Sequence, residues 1–128
     1  MPPDTFPSYA PLVVEHFERP RNIGSFEPAS DVVTASAGSR DQGALFRLSA
    51  RISAGRIATA RAAVYGCPHC IAAASWLTER LAGLTREEIR SWNWREAANL
   101  LAVPTEKSSR LLLLEDAVHA LAKHWAAR

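Results

Sequence analysis

Lysine is almost missing from this chain of 128 residues: Lys107 and Lys123 stand against thirteen arginines. Thirteen acidic residues bring the formal net charge to only +2. A nucleic-acid-binding surface needs a larger and more clustered basic excess, so no nucleic-acid partner is expected. Arginine prefers forked contacts with carboxylates or phosphates, which leaves an acidic protein surface open as a partner. Long apolar runs are also missing. No stretch approaches the roughly 18 to 20 residues that cross a bilayer, so no membrane span is expected. The proline-rich start, Met1 to Tyr9, has no basic segment leading into an apolar one. The chain is therefore expected to be cytoplasmic rather than secreted. Cysteine occurs only twice, at Cys67 and Cys70, too close together to staple separate parts of a fold. In such a chain a lone CxxC points to metal or redox chemistry before structure.

What is present is enough for one domain. The hydrophobic fraction is 48%, which argues against disorder. At this length folding removes roughly two-thirds of the unfolded chain's surface from water, so a core forms without staples. A single domain over residues 1–128 is expected, with neither repeats nor a low-complexity linker.

Periodicity orders the elements. Leu12, Val13 and Phe17 recur at helical spacing behind Ser8, a candidate cap, and Pro20 and Gly24 close that helix. A strand is expected around Asp31 to Ala37. From Ala44 to Ile52 the residues Phe46, Leu48, Ala50 and Ile52 alternate with Arg47, Ser49 and Arg51, the pattern of a half-buried strand. Ser53-Ala54-Gly55 turns tightly into Arg56 to Tyr65, whose alanines and arginines leave its facing ambiguous. Ile71, Ala72, Ser75, Trp76 and Leu81 then fit a helix capped near Gly83. Thr85 with Glu88 predicts a capping box, and Asn93 a cap for Trp94 to Leu101. Ser108 or Ser109 opens the last helix, which carries Leu111, Leu114, Val118 and Leu121. The order predicts an α+β fold, a three-stranded antiparallel sheet covered on one face by helices. His16, His119 and His124, the four tryptophans, and Arg47, Arg51 and Arg61 read as packing or solvated residues rather than ligands.

Chemistry concentrates at Tyr65-Gly66-Cys67-Pro68-His69-Cys70, the predicted strand–helix junction. With Cys67 at the cap, Pro68 takes the first helical position, where its missing N–H costs nothing. The unpaired amides and the dipole of the first turn then favour a thiolate, lowering the Cys67 pKa below its usual ~8.5. His69, if protonated, pushes the same way. Such a pair can bind a soft metal, carry sulfur as a persulfide, or cycle as a disulfide; the alternative is two buried cysteines acting as small hydrophobes. A thioredoxin-type reading fits poorly, because that fold needs parallel βαβ units. Zinc or an iron–sulfur cluster wants about four ligands, whereas Cys67, Cys70 and His69 supply three. Asp41 from the preceding loop, or a second copy in a homodimer, is the expected source of the rest.

Taken in order, these residues resemble a known family. Glu15-His16-Phe17, Pro20-Arg21-Asn22 and Gly24 look like the opening signature of the NifU/IscU iron–sulfur scaffold proteins. Gly38 falls where that family's first ligand loop begins. Tyr65-Gly66-Cys67 with Ile71 to Ser75 resembles its second loop, with Thr78-Glu79 following, and Leu114 to Ala117 is similar to its final helix. The resemblance implies a scaffold or sulfur carrier rather than an enzyme. It further implies a cysteine desulfurase as sulfur donor, acceptor apo-proteins, and a [2Fe–2S] cluster held by three cysteines with an Asp and a His. Of that ligand set only Cys67 is matched. Gln42, Ala44, Ser109 and Arg110 stand at the other ligand positions, the chaperone-binding segment is reduced to Val103 to Lys107, and His69 and Cys70 are additions. Gln and Ser are poor iron ligands beside thiolate, and Arg110 would add a fixed positive charge. Related sulfur acceptors of the same fold work with one cysteine. The leading expectation is thus an atypical assembly protein that accepts sulfur or binds iron through Cys67, assisted by Cys70. A regulatory protein docking on a desulfurase, and a CxxC dimer bridged by zinc or iron, are the alternatives.

Overall fold

The computed structural model describes residues 9–126. The elements run α1 (Pro11–Glu18), β1 (Val32–Ser39), β2 (Ala44–Ser53), β3 (Arg56–Tyr65), α2 (Pro68–Leu81), α3 (Arg86–Arg90), α4 (Arg95–Leu100) and α5 (Ser108–Ala126), with a 3₁₀ turn at Thr105–Lys107 leading into α5. The strands form an antiparallel meander in the order β1-β2-β3.

Alternation decides the faces. Phe46, Leu48 and Ala50 of β2 pair with Ala37, Ala35 and Val33 of β1 and with Val64, Ala62 and Ala60 of β3. On that face α5 packs against β1 and β2, and α2 against β3. Ala72, Ala73 and Ala74 of α2 are completely buried; their small side chains let the helix lie close to the sheet. The opposite face carries Arg47, Ser49 and Arg51. The segment after α1 partly covers it, with Phe26 beneath the guanidinium groups of Arg51 and Arg61 at 4.9 and 4.3 Å. This is the expected α+β architecture.

The ambiguity of β3 has a local cause. Its register with β2 shifts between Arg51 and Ile52, so that Arg51 pairs with Thr59 and Ile52 with Ile57. Ala58 is the extra residue of a β-bulge, which inverts the facing on either side of it. Ile57, Ala60 and Ala62 consequently all reach the core although two-residue alternation cannot align them. The hairpin turn places Ala54 and Gly55 at φ 54° and 75°, the left-handed pair that suits strand twist.

Helix ends largely follow local chemistry, with two corrections. Ser8 lies outside the described residues; the α1 cap is Ala10, with Pro11 at the first helical position and no side-chain cap bond. The Thr85–Glu88 capping box forms. The α4 cap is Trp94 rather than Asn93, yet the Asn93 side chain still accepts a bond from the Arg95 amide at 2.8 Å. His119 donates to the Trp92 carbonyl and His124 to that of Thr34, so both histidines serve packing.

Candidate functional site

The signature after α1 acts as a clamp on α2. His16 is buried and bonds the Ser75 hydroxyl at 2.8 Å, which also accepts from the Arg21 amide at 2.8 Å. Asn22, at φ 55°, donates to the Thr78 hydroxyl at 3.1 Å. Arg21 closes the group with an ion pair to Glu15. These contacts tie α1 and its following loop to the middle of α2. They hold in place the helix whose first turn carries both cysteines. The clamp was not legible in the sequence; its only trace was the order of the signature residues.

At the start of α2, Cys67 occupies the cap with extended backbone and Pro68 follows at the first helical position. Cys70 sits three residues on, on the same face of the turn. Its sulfur lies 3.6 Å from that of Cys67. Cys70 is fully buried, whereas Cys67 is half-buried. The thiol of Cys70 donates to the Cys67 sulfur, and this is the largest influence on Cys67. Burial opposes it, while the amides of Cys70 and His69 and the Arg110 charge add to it; together they bring the Cys67 pKa down to about 4. Cys70 is pushed upward by the same thiol contact, by burial and by the Cys67 charge. The helix start was expected to be the main source of the thiolate; the neighbouring thiol, 3.6 Å away, outweighs it, because a hydrogen bond to a charged sulfur is among the stronger ones.

His69 departs from expectation. It is buried, and neither ring nitrogen has a hydrogen-bond partner among the described residues. Burial lowers its pKa, with the Cys67 anion pulling the other way. A neutral ring at neutral pH lends Cys67 no positive charge. The ring instead meets Tyr9 edge-on, with centroids 4.7 Å apart.

Three segments converge here. The Arg110 guanidinium, from the first turn of α5, lies 4.0 Å from the Cys67 sulfur. It also packs over the turn between β1 and β2, where a Cβ on Gly43 would stand 3.2 Å from it. A Cβ on Gly66 would meet the Cys70 sulfur at 2.8 Å and the Gly43 carbonyl oxygen at 3.4 Å. Glycine at both positions therefore lets the turn, the thiol pair and the arginine come together.

The other candidates are placed differently. Asp41 is exposed in the β1–β2 turn, and Gln42 beside it accepts a bond from Ser39. Ala44 is buried at the start of β2, and Ser109 is exposed. Among the described residues no group of three or more His, Cys, Asp or Glu side chains is arranged to hold a metal ion. The site is thus a thiol pair with an arginine. Cys67, Cys70 and Arg110 meet, while Asp41 and His69 do not complete a ligand shell with the cysteines. No helix among the described residues is long and apolar enough to cross a membrane.

Residues 8–128 match the family described as NifU-like N terminal domain. The iron-sulfur cluster assembly protein 1 of Oryza sativa subsp. japonica is 36% identical over 124 residues, covering 94% of this chain and 72% of that protein. The iron-sulfur cluster assembly scaffold protein IscU of Azotobacter vinelandii is 33% identical over 120 residues, with 92% and 94% covered. Among solved structures, the NifU-like protein (N-terminal) from Brucella abortus superposes with a TM-score of 0.70 at 17% identity, covering 93% of this chain and 94% of that one. The putative scaffold protein for the SUF system from Fervidobacterium islandicum gives 0.72 at 13%, covering 93% and 99%. At such identities the two structures speak for the fold.

Proposed function

The chain belongs to the NifU-like N-terminal domain family, and from that premise we propose that it serves iron–sulfur cluster assembly as a sulfur-accepting scaffold centred on Cys67. One observation carries this reading: a half-exposed sulfur with a buried thiol 3.6 Å away and a guanidinium 4.0 Å away, surroundings that favour its anion. The thiolate is the nucleophilic form of cysteine. It attacks the outer sulfur of a cysteine desulfurase persulfide; the donor's S–S bond breaks, the donor cysteine leaves as thiolate, and Cys67 keeps the sulfur as its own persulfide, with no net change in electrons. Arg110 then stands beside a persulfide anion. Apo-proteins that need clusters are the downstream partners.

The cluster is cargo here, and a lone subunit is a poor holder for it. An iron–sulfur cluster is normally bound by about four thiolates. Gln42, Ala44, Ser109 and Arg110 replace the ligands that the resemblance assigns, and Arg110 would repel ferrous iron. Sulfur acceptance is therefore favoured over iron binding at Cys67.

Anaerobic incubation with a cysteine desulfurase and cysteine, followed by intact mass measurement, tests this. The expected result is uptake of sulfur that depends on Cys67, seen as an adduct of about 32 Da wherever the persulfide persists. Cys67→Ser should show none. If neither sulfur nor metal is taken up, the reading fails. The missing ligands favour one second reading, a protein that docks on the desulfurase and regulates it. A Cys67→Ser/Cys70→Ser variant with undiminished desulfurase binding and biological effect would establish that one instead.

A further inference from the structure

We propose that Cys70 is a resolving thiol: it attacks the Cys67 sulfur of the persulfide, forms a Cys67–Cys70 disulfide and releases the carried sulfur as hydrosulfide. The inference rests on the sulfur-accepting role of Cys67 and adds the step by which sulfane sulfur becomes the sulfide that clusters contain.

Placement argues for it. Cys70 is fully buried, so an outside nucleophile or metal has no path to it, yet its sulfur stands 3.6 Å from Cys67. A disulfide needs about 2.05 Å between sulfurs, and residues three apart at a helix start already face each other. Small side-chain rotations close the gap. The absence of a side chain at Gly66 leaves room for the whole Cys70 side chain, since a Cβ there would stand 2.7 Å from the Cys70 Cβ and 2.8 Å from its sulfur.

The chemistry balances. Before the step there is a Cys67 persulfide anion and a protonated Cys70. The Cys70 proton passes to the outer sulfur; the Cys70 thiolate so formed bonds to the inner, Cys67 sulfur, the bond to the outer sulfur breaks, and that sulfur leaves with the proton as hydrosulfide. The two cysteines lose two electrons and the outer sulfur gains them. Arg110, 4.0 Å from Cys67, offers positive charge for the departing anion. A dithiol reductant resets the disulfide for the next round.

The test loads wild type, Cys70→Ser and Gly66→Ala with inorganic polysulfide under anaerobic conditions, removes the excess, and omits reductant. Wild type should release one hydrosulfide per chain, leaving a chain about 2 Da lighter than the dithiol form that no longer takes up iodoacetamide. Cys70→Ser should keep an adduct of about 32 Da and release sulfide at least about tenfold more slowly until dithiothreitol is added. Gly66→Ala should fall between them. A wild-type chain that keeps its adduct as long as Cys70→Ser does overturns the resolving role while leaving sulfur acceptance intact. If Cys70→Ser takes up no sulfur and wild type neither gains sulfur nor forms the disulfide, sulfur acceptance fails and the resolving role falls with it.

Discussion

Replacing Cys70 with alanine removes the thiol that donates to the Cys67 sulfur, and the pH at which Cys67 ionises should rise. A hydrogen bond to a charged group contributes about 1.5 to 3 kcal/mol, and one pH unit corresponds to about 1.36 kcal/mol. Because Cys67 is half-exposed, solvent screens part of that energy, so the expected rise is about one to two pH units. The readout is the rate of alkylation by iodoacetamide against pH, with intact mass confirming a single labelled site, since only the thiolate reacts. Wild type should stay fully reactive through the neutral range and lose reactivity near pH 4. The Cys70→Ala midpoint should lie higher, and Cys70→Ser, whose hydroxyl still donates, should lie between. The sign of the linked stability follows. Cys67 ionises at about 4 when folded and at 9.0 when unfolded, so its anion adds stability that grows with pH across that window and is lost as pH falls through about 4. Cys70, shifted upward, takes stability away only above its unfolded value of 9.0. A wild-type midpoint in the ordinary thiol range near ~8.5 would refute the electrostatic account of the site. A Cys70→Ala curve overlying wild type would refute the thiol's leading part in it.

Four further outcomes are expected. Ser75→Ala should destabilise the fold by about 1 to 3 kcal/mol, because buried His16 and the Arg21 amide both lose their partner; thermal unfolding checks this, and an unchanged midpoint counts against the clamp. His69→Leu removes two buried ring nitrogens and should raise stability by about 1 kcal/mol or more in urea unfolding, whereas a loss would show that the ring is bonded. Burial holds His16 and His69 below their ordinary value of 6.5, so stability should fall as pH drops below that value, and His69→Leu should flatten the decline. Finally, Gln42→Cys/Arg110→Cys supplies two thiolates near Cys67 and should let the chain hold an iron–sulfur chromophore after reconstitution with iron and sulfide. Equal colour in wild type would contradict the ligand-loss argument.

The strands and helices were largely readable because the interior is one-sided. Phe46, Leu48 and Ala50 alternate with Arg47, Ser49 and Arg51, and that contrast alone assigns β2. Where contrast fails the reading fails: β3 mixes alanine with arginine, and its facing depends on the bulge residue Ala58, a feature of pairing with β2. The cap of α4 missed by one residue because Asn93 and Trp94 share the task between side chain and backbone.

By itself the sequence determined that Cys67 would sit at a strand–helix junction with Cys70 on the same side of the turn, because proline position, glycine position and three-residue spacing are properties of a single segment. Periodicity and spacing could not determine what surrounds them, and only the family resemblance implied that Arg110 stands at a ligand position near Cys67. Arg110 lies 43 residues from Cys67 along the chain and reaches it only because α5 packs on the sheet. His69 could help as a cation only if protonated, but packing buries it against Tyr9 and keeps it neutral. Charge and solvent exposure depend on which distant atoms come close, and that was decided by the tertiary structure alone.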